Sequence, residues 1–173
     1  MAVALAALLP APASAQHKSD WEEREEARNW KEIEVPLPAY PKAADLIEFE
    51  VSALATFKFF IDARSINVGK DGVVRYTLVA RSPNGVDNVT FEGMRCNGAR
   101  YRVYAGARND GTWVKRPTAE WREIEPKSIQ RWHQVLRRSY FCPQDAIIFD
   151  AEEGIDALKR GGHPRRGNFY THD

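Results

Sequence analysis

VTFEGMRCNGARYRVY, residues 89–104, contains two runs of alternating residues on either side of Asn97-Gly98. An Asn-Gly dipeptide between such runs is typical of a two-residue type I′ turn, whose central residues both have positive φ. The stretch therefore predicts an antiparallel hairpin in which Phe91 lies opposite Tyr104. Because a hairpin fixes its own register, it also decides which side chains face the core.

The predicted register divides the hairpin side chains between two faces. The apolar face, which we expect to pack on the core, holds Cys96, Met94, Tyr101 and Val103. The second face, called here the arginine face, holds Arg95, Arg100, Arg102, Phe91 and Tyr104. Arginines that lie opposite each other on neighbouring strands repel, so this face requires anionic partners.

Two interpretations of the arginine face are open. In the first, Glu92, Glu120 or Glu123 from neighbouring elements neutralises the guanidinium groups. In the second, the five residues form a ligand-binding site for a carboxylate, a phosphate or an anionic glycan, since guanidinium groups form paired hydrogen bonds to such anions. We expect no nucleic acid partner, because 25 Lys and Arg nearly balance 24 Asp and Glu, and because an exported protein meets little nucleic acid.

Alternating runs on both sides of the hairpin predict further strands. Turn residues such as Gly69–Gly72 and Asn109–Gly111 separate them at the spacing of an antiparallel meander. In the longest run, Val73–Arg81, apolar residues such as Val74 alternate with polar residues such as Arg75, which indicates a strand buried on one face only. The predicted strands lie at 46–51, 57–62, 65–68, 73–81 and 112–115.

After Pro126 the apolar residues repeat at helical spacing. A first stripe consists of Ile129, Trp132, Val135, Leu136 and Tyr140, and a second, shorter one of Ile148, Ala151, Ile155 and Leu158. Phe141-Cys142-Pro143 ends the first helix, and Gly161-Gly162 ends the second. These patterns predict an α+β fold, an antiparallel β-meander sheet with a C-terminal helix packed on one face. A small β-barrel with an appended helix is the alternative.

The first residues, MAVALAALLPAPASAQ, have the pattern of an export signal. Ala4–Leu9 is a short apolar run, and Ala13-Ser14-Ala15 has the small-x-small form of a cleavage site before Gln16. No Lys or Arg precedes the apolar run, which departs from a complete signal. The pattern predicts export to the periplasm with cleavage after Ala15. No apolar run is long enough to predict a transmembrane segment.

The predicted organisation has four parts. A signal peptide occupies residues 1–15, and a charged arm followed by a Pro-rich strap occupies residues 16–40. Three prolines in Val35–Pro41 favour an extended chain laid over the domain. A single α+β domain spans residues 41–160, and residues 161–173 form a tail.

The chain has two cysteines, Cys96 and Cys142. Thiols in an oxidising compartment pair, so we predict a disulfide that joins the end of the first helix to the apolar face of the hairpin. A nucleophilic thiol with His133 as its base and a Cys/His metal site are the alternatives. The chain lacks the close-spaced ligand pair of zinc sites, so no metal and no other cofactor is expected.

Seven short segments carry a family resemblance: Trp30-Lys31-Glu32, Leu37–Pro41, Phe59–Asp62, Asp71–Leu78, Phe91–Cys96, Asp110–Trp113 and Tyr140–Pro143. They resemble the cryptic-neisserial-protein-like family over the stretch from Trp30 to Pro143. The resemblance implies a small exported protein of Gram-negative bacteria that resides in the periplasm. That family has no assigned reaction, cofactor or catalytic residue, so the resemblance implies none here.

The motifs of common enzyme classes are missing from the sequence, which has no Gly-rich phosphate loop, G-x-S-x-G elbow, H-E-x-x-H pair or calcium loop. We therefore expect a non-enzymatic envelope binding or accessory module that uses the arginine face. Its partner would be an anionic small molecule, a glycan or an envelope protein. One alternative is a hydrolase or other enzyme with dispersed catalytic residues, which His133 meeting an acid in a cleft would favour. Another is an assembly or stability factor recognised through its acidic arm.

Overall fold

The computed structural model describes residues 28–125 and 131–166. Its contacts divide the chain into two units, Met1–Lys31 and Glu32–Asp173. The first unit is described only at its last four residues, which begin with a short helical piece. Several predicted features lie outside the described residues: the signal peptide, residues 16–27 of the charged arm, Ile129 and residues 167–173.

The described part of the second unit contains an antiparallel sheet of eight strands. The strands are β1 (Leu46–Phe49), β2 (Lys58–Asp62), β3 (Asn67–Val68), β4 (Val73–Arg81), β5 (Asp87–Arg95), β6 (Arg100–Ala107), β7 (Trp113–Lys115) and β8 (Arg122–Glu123). Their order is β1-β2-β4-β5-β6-β7, with β3 paired to β4 and β8 paired to β6. The predicted meander is confirmed. The barrel alternative is wrong, because the sheet stays open between β1 and β7.

The hairpin between β5 and β6 has the predicted register near its turn, where Arg95 lies opposite Arg100. A β-bulge then shifts the register, so Phe91 lies opposite Ala105 and the predicted pairing with Tyr104 is wrong. The bulge places the Tyr104 ring over Gly93, where a Cβ atom would lie 2.8 Å from the ring. A glycine is therefore required beneath this tyrosine.

The turn of this hairpin also differs from the predicted type I′. Positive φ angles fall on Gly98 (77°) and Ala99 (46°), and not on Asn97. The Ala99 amide donates to the Cys96 carbonyl at 3.1 Å, and the Ala99 carbonyl accepts from the Ile124 amide at 2.8 Å. These two bonds hold Ala99 in its left-handed conformation at the start of the β6–β8 pairing.

The main core lies on the sheet face that packs against the C-terminal helices. Cys96, Met94 and Tyr101 from the predicted apolar face are buried there, and Val103 is half-buried. Large side chains from both layers complete this core, among them Ile61, Tyr76, Leu136, Phe141 and Ile148. The predicted position of the core is thus confirmed.

Strand β4 is not the half-exposed strand that its alternation predicts, because every residue from Val73 to Val79 is buried. The second face of the sheet is covered as well as the first. Residues 32–41, called here the covering segment, lie over Arg75, which hydrogen-bonds to the Ile33 carbonyl. At the other end of β4, Val79 packs with Phe60 and Val89.

The first helical region changes its geometry within the predicted stripe. Helix α1 (Arg131–Val135) continues into a π-helical turn over Leu136–Phe141. The Cys142 amide donates to the Arg137 carbonyl at 2.7 Å, a bond that spans five residues. Leu136, Tyr140 and Phe141 of this turn are buried in the core.

The predicted second helix and disulfide are both present. Helix α2 (Ala151–Lys159) starts after Asp150, whose carboxylate accepts from the Glu153 amide at 2.9 Å. Cys96 is bonded to Cys142, with their Cα atoms 5.5 Å apart. None of the helices in the described ranges is long and apolar enough to span a bilayer.

Candidate ligand-binding cavity

The covering segment contains no helix or strand, and its C-terminal half is fixed to β7. The Trp113 indole N–H donates to the Pro38 carbonyl at 2.9 Å, and the Tyr40 and Trp113 rings lie 6.4 Å apart. Proline lacks a backbone N–H but keeps its carbonyl, and this carbonyl is the acceptor that ties Pro38 to β7.

The N-terminal half of the covering segment docks on a buried ion pair. Arg75 and Asp71 have side chains that are each 1% exposed, and their closest N···O distance is 2.6 Å. The Ile33 amide donates to Asp71 Oδ2 at 2.8 Å, and the Ile33 carbonyl accepts from Arg75 at 2.8 Å. One backbone residue thus contacts both charges, which makes the ion pair a docking point for the segment.

Asp71 makes the stability of this docking point dependent on pH. Burial alone raises the pKa of Asp71, but the hydrogen bonds from Arg75 and from the Ile33 amide outweigh it and lower the pKa below its ordinary value. A carboxyl group with a depressed folded pKa adds stability above its unfolded pKa, about 3.9, and loses it as the pH falls toward the folded pKa.

We therefore expect the unfolding free energies of the wild type and Asp71→Asn to differ by a constant amount above about pH 5 and to converge below about pH 4. Urea denaturation between pH 7 and pH 2.5 measures both proteins. A difference that is still undiminished at the lowest pH would contradict this assignment.

Glu32 is the centre of a second polar cluster on the arginine face. Its carboxylate accepts from Arg102 at 2.6 Å, from the Tyr104 hydroxyl at 2.5 Å and from the Trp121 indole at 3.1 Å. Arg75 lies 3.7 Å from the same carboxylate. Burial and the bond to Glu32 raise the pKa of Tyr104, so the hydroxyl stays protonated and donates.

Sequence reasoning did not find Glu32 as a partner of the arginine face, because it lies 70 residues before Arg102. The one signal available is its position in Trp30-Lys31-Glu32, just before the prolines that hold the chain extended over the sheet. Of the predicted neutralising acids, Glu123 lies 3.6 Å from Arg100, an exposed pair. Glu92 lies on the opposite, core face of the sheet.

A cavity of about 420 Å³ lies between the covering segment and the sheet. We call it the main cavity. Its walls include two acidic residues, Glu32 and Glu34, with Ile33, Val35, Leu37, Arg75, Phe91, Arg102, Tyr104, Lys115, Arg116 and Pro117. Its size falls in the range of small-molecule sites, and its mixture of apolar walls with a few charged groups is typical of them.

The main cavity brings together three of the five residues predicted as a site. Phe91, Arg102 and Tyr104 line it, whereas Arg95 and Arg100 do not. Arg95 lies over the Trp121 ring, with its guanidinium carbon 5.9 Å from the ring centroid. Burial and the neighbouring Arg100 lower the pKa of Arg95.

The sequence patterns did not predict two cations that line the main cavity, Lys115 and Arg116. Neither side chain has an acid within 4.0 Å in the part of the chain that the structure describes. Both are exposed, at the end of β7, where the Arg116 amide donates to the Tyr104 carbonyl at 2.7 Å. Since Arg102 is bonded to Glu32, these two are the cations available to a ligand.

A buried polar cluster lies on the other face of the sheet, around Glu92. This carboxylate contacts His133 at 2.8 Å and accepts from Tyr76 at 3.2 Å and from Thr90 at 2.7 Å. The Tyr101 ring stacks on His133 at a centroid distance of 3.7 Å. Burial, followed by the charge of Glu92, raises the pKa of Tyr76 well above its usual range.

His133 and an acid therefore do meet, but each is 97% buried and neither lines the main cavity. Their contacts are those of a packed polar core, so the geometry does not place them beside a substrate. Among residues 28–125 and 131–166, no cluster of three His, Cys, Asp or Glu side chains could hold a metal ion.

The sequence of the chain is similar to that of a named bacterial protein. The chain is 32% identical over 113 residues to "Cryptic neisserial protein 1" of Neisseria gonorrhoeae, which covers 57% of this chain and 56% of that protein. It thus spans about half the length of that relative. No solved structure matches the chain. The model of the CNP1-like family matches residues 25–159. The chain therefore belongs to the CNP1-like family.

Proposed function

We propose that this protein is a binding module of the cell envelope that holds a small anionic molecule or an anionic glycan in the main cavity. The observation that carries the proposal is the pair of cations, Lys115 and Arg116, that line the cavity without an acidic partner among the described residues. Such cations form charge-assisted hydrogen bonds to an incoming anion, which are about twice as strong as neutral ones.

The apolar walls add a second requirement on the ligand. Val35 and Leu37 from the covering segment lie across the cavity from Phe91 and Tyr104 of the sheet. Burying an apolar group between them adds about 25 cal/mol for each Å² removed from water. The favoured ligand therefore has an anionic group beside an apolar or ring-shaped portion, a description that includes many sugar acids.

The periplasm is the proposed location. The disulfide between Cys96 and Cys142 supports an oxidising compartment, because such bonds persist there and are rare in the cytosol. The signal pattern with cleavage after Ala15 supports the same location. N-terminal sequencing of protein recovered from periplasmic extract tests this, and we expect Gln16 as the first residue.

Thermal-shift measurements test the binding function with two matched arginine variants. The probes are oligogalacturonate, AMP, octanoate and octyl phosphate. We expect at least one of them to stabilise the wild type, by about 2.7 kcal/mol at a concentration one hundred times its Kd. Arg116→Glu should remove this stabilisation, whereas Arg100→Glu should retain it.

Arg100→Glu is the matched control because Arg100 is also an exposed arginine of this sheet region but lies outside the main cavity. Both substitutions are at exposed positions, where we expect changes in stability of about 0.5 kcal/mol or less. Loss of the response in Arg100→Glu with retention in Arg116→Glu would move the site to the hairpin turn. No response of the wild type to any probe would remove the proposed function.

A further inference from the structure

A second cavity of about 450 Å³ adjoins the main cavity and shares Lys115, Arg116 and Pro117 with it. Its lining differs in chemistry. Arg122 and Thr118 add polar groups, and Glu120 is its one acidic residue. The two cavities thus lie side by side at these three shared residues, the main cavity with apolar walls and the second cavity with a polar, cationic lining.

The strand pairing explains why three cations meet at the second cavity. Strands β7 and β8 pair with opposite ends of β6, opposite Ala105–Ala107 and Arg100–Tyr101 respectively. The loop between them must therefore pass alongside the middle of β6. The loop starts at Arg116 and ends just before Arg122, which brings both arginines to the rim of the same cavity.

The charge of the second cavity favours a doubly charged anion. Lys115, Arg116 and Arg122 have no acid within 4.0 Å among the described residues. Glu120 offsets one of the three positive charges, which leaves two. A phosphate monoester carries a charge of about −1.5 to −2 at pH 7, whereas a carboxylate or a phosphodiester carries only one.

The geometry of the loop between β7 and β8 also favours a phosphate monoester. The Ala119 amide donates to the Arg116 carbonyl at 3.0 Å, which curls the loop around the cavity. The Thr118 hydroxyl has no hydrogen-bond partner among the described residues, so it is free to bond a phosphate oxygen. Two arginines with their fork of N–H groups match the several oxygens of a phosphoryl group.

We propose that the ligand is an amphiphilic phosphate monoester, with its phosphoryl group in the second cavity and its apolar portion in the main cavity. This inference rests on the proposed function and names the ligand class of that same site. The phosphate monoester could be a soluble molecule or the headgroup of a lipid. Both sources present the same chemistry to Arg116 and Arg122.

Isothermal titration of the full chain with octyl phosphate, octanoate and inorganic phosphate tests the proposal. We expect octyl phosphate to bind more tightly than octanoate. Arg122→Ala should weaken octyl phosphate about tenfold and change octanoate by less than twofold, since a charge-assisted contact to the phosphoryl group is lost. Leu37→Ala should weaken both octyl compounds but leave inorganic phosphate unchanged.

The outcomes separate this inference from the proposed function. Equal binding of octanoate and octyl phosphate, or an Arg122→Ala variant that binds octyl phosphate normally, would overturn the phosphoryl assignment and leave anion binding in place. If none of the three compounds binds, the ligand class proposed here fails, whereas the proposed function fails only if oligogalacturonate and AMP also leave the wild type unchanged. Thermal melting of each variant confirms folding, and Arg100→Ala is the matched arginine control.

Vesicles with and without phosphatidic acid identify the source of the phosphoryl group. Sedimentation with phosphatidic acid vesicles that is lost in Arg122→Ala would assign a lipid headgroup, whereas binding of octyl phosphate without sedimentation would assign a soluble ligand. Sedimentation that is equal in the wild type and Arg122→Ala would contradict a phosphoryl site in the second cavity.

Discussion

Asp71→Ala is expected to lower the free energy of unfolding by about 3 to 5 kcal/mol. The substitution leaves the buried Arg75 guanidinium without the carboxylate that binds it at 2.6 and 3.1 Å. It also removes the acceptor of the Ile33 amide. Denaturant unfolding measures the loss, and we expect the covering segment to become sensitive to proteases in the variant.

Asp87→Ala is the matched control for this substitution. Asp87 binds Arg81 through two hydrogen bonds of 2.7 and 2.9 Å, a geometry like that of the buried pair. The Arg81 side chain is 37% exposed and the Asp87 side chain 31%, so solvent screens their interaction. We expect a loss of about 1 kcal/mol or less. If both variants lose equal amounts, the Asp71–Arg75 pair does not hold the covering segment.

Removal of the disulfide is the second large effect. Cys96 and Cys142 close a loop with a sequence separation of 46 residues. In the chain-entropy model, opening such a loop costs about 4 kcal/mol, because the unfolded chain gains conformations. We expect this loss in the Cys96→Ala/Cys142→Ala variant, measured by denaturant unfolding.

Reduction of the wild type by dithiothreitol should produce a loss similar to that of the double variant. Agreement of the two would show that the bond, and not the packing of the cysteine side chains, supplies the stability. Peptide mapping without reductant should recover the linked pair. Two free thiols in protein from the oxidising compartment would contradict the pairing.

Local patterns predicted much of the fold. The alternation around Asn97-Gly98 gave the two faces of the hairpin correctly, because burial of one face specifies register. The second helix was visible in the helical spacing of Ile155 and Leu158, which is a short-range signal. The disulfide was visible in the composition, because the chain has only two cysteines. From these, the meander and the helix packed on the face with Cys96 could be inferred.

The rest depends on contacts between distant residues. Burial of β4 on both faces requires the covering segment, which reaches Arg75 from 42 positions away. The bulge at Phe91 and the π-helical turn before Cys142 are adjustments to packing, and neither has a local sequence signature. For the same reason no hairpin pattern could reveal Lys115 and Arg116, the cations at and just after the end of β7 that line the proposed site in place of Arg95 and Arg100.

NMR mapping tests most directly whether the main cavity binds an anion. Backbone amide signals of the ¹⁵N-labelled protein are followed while octyl phosphate is added to saturation. We predict the largest shifts at Arg102–Tyr104 and at Lys115–Ala119, and little change at the hairpin turn, Asn97–Arg100. Shifts confined to the turn, or no shift at any residue of the cavity, would contradict anion binding in the main cavity.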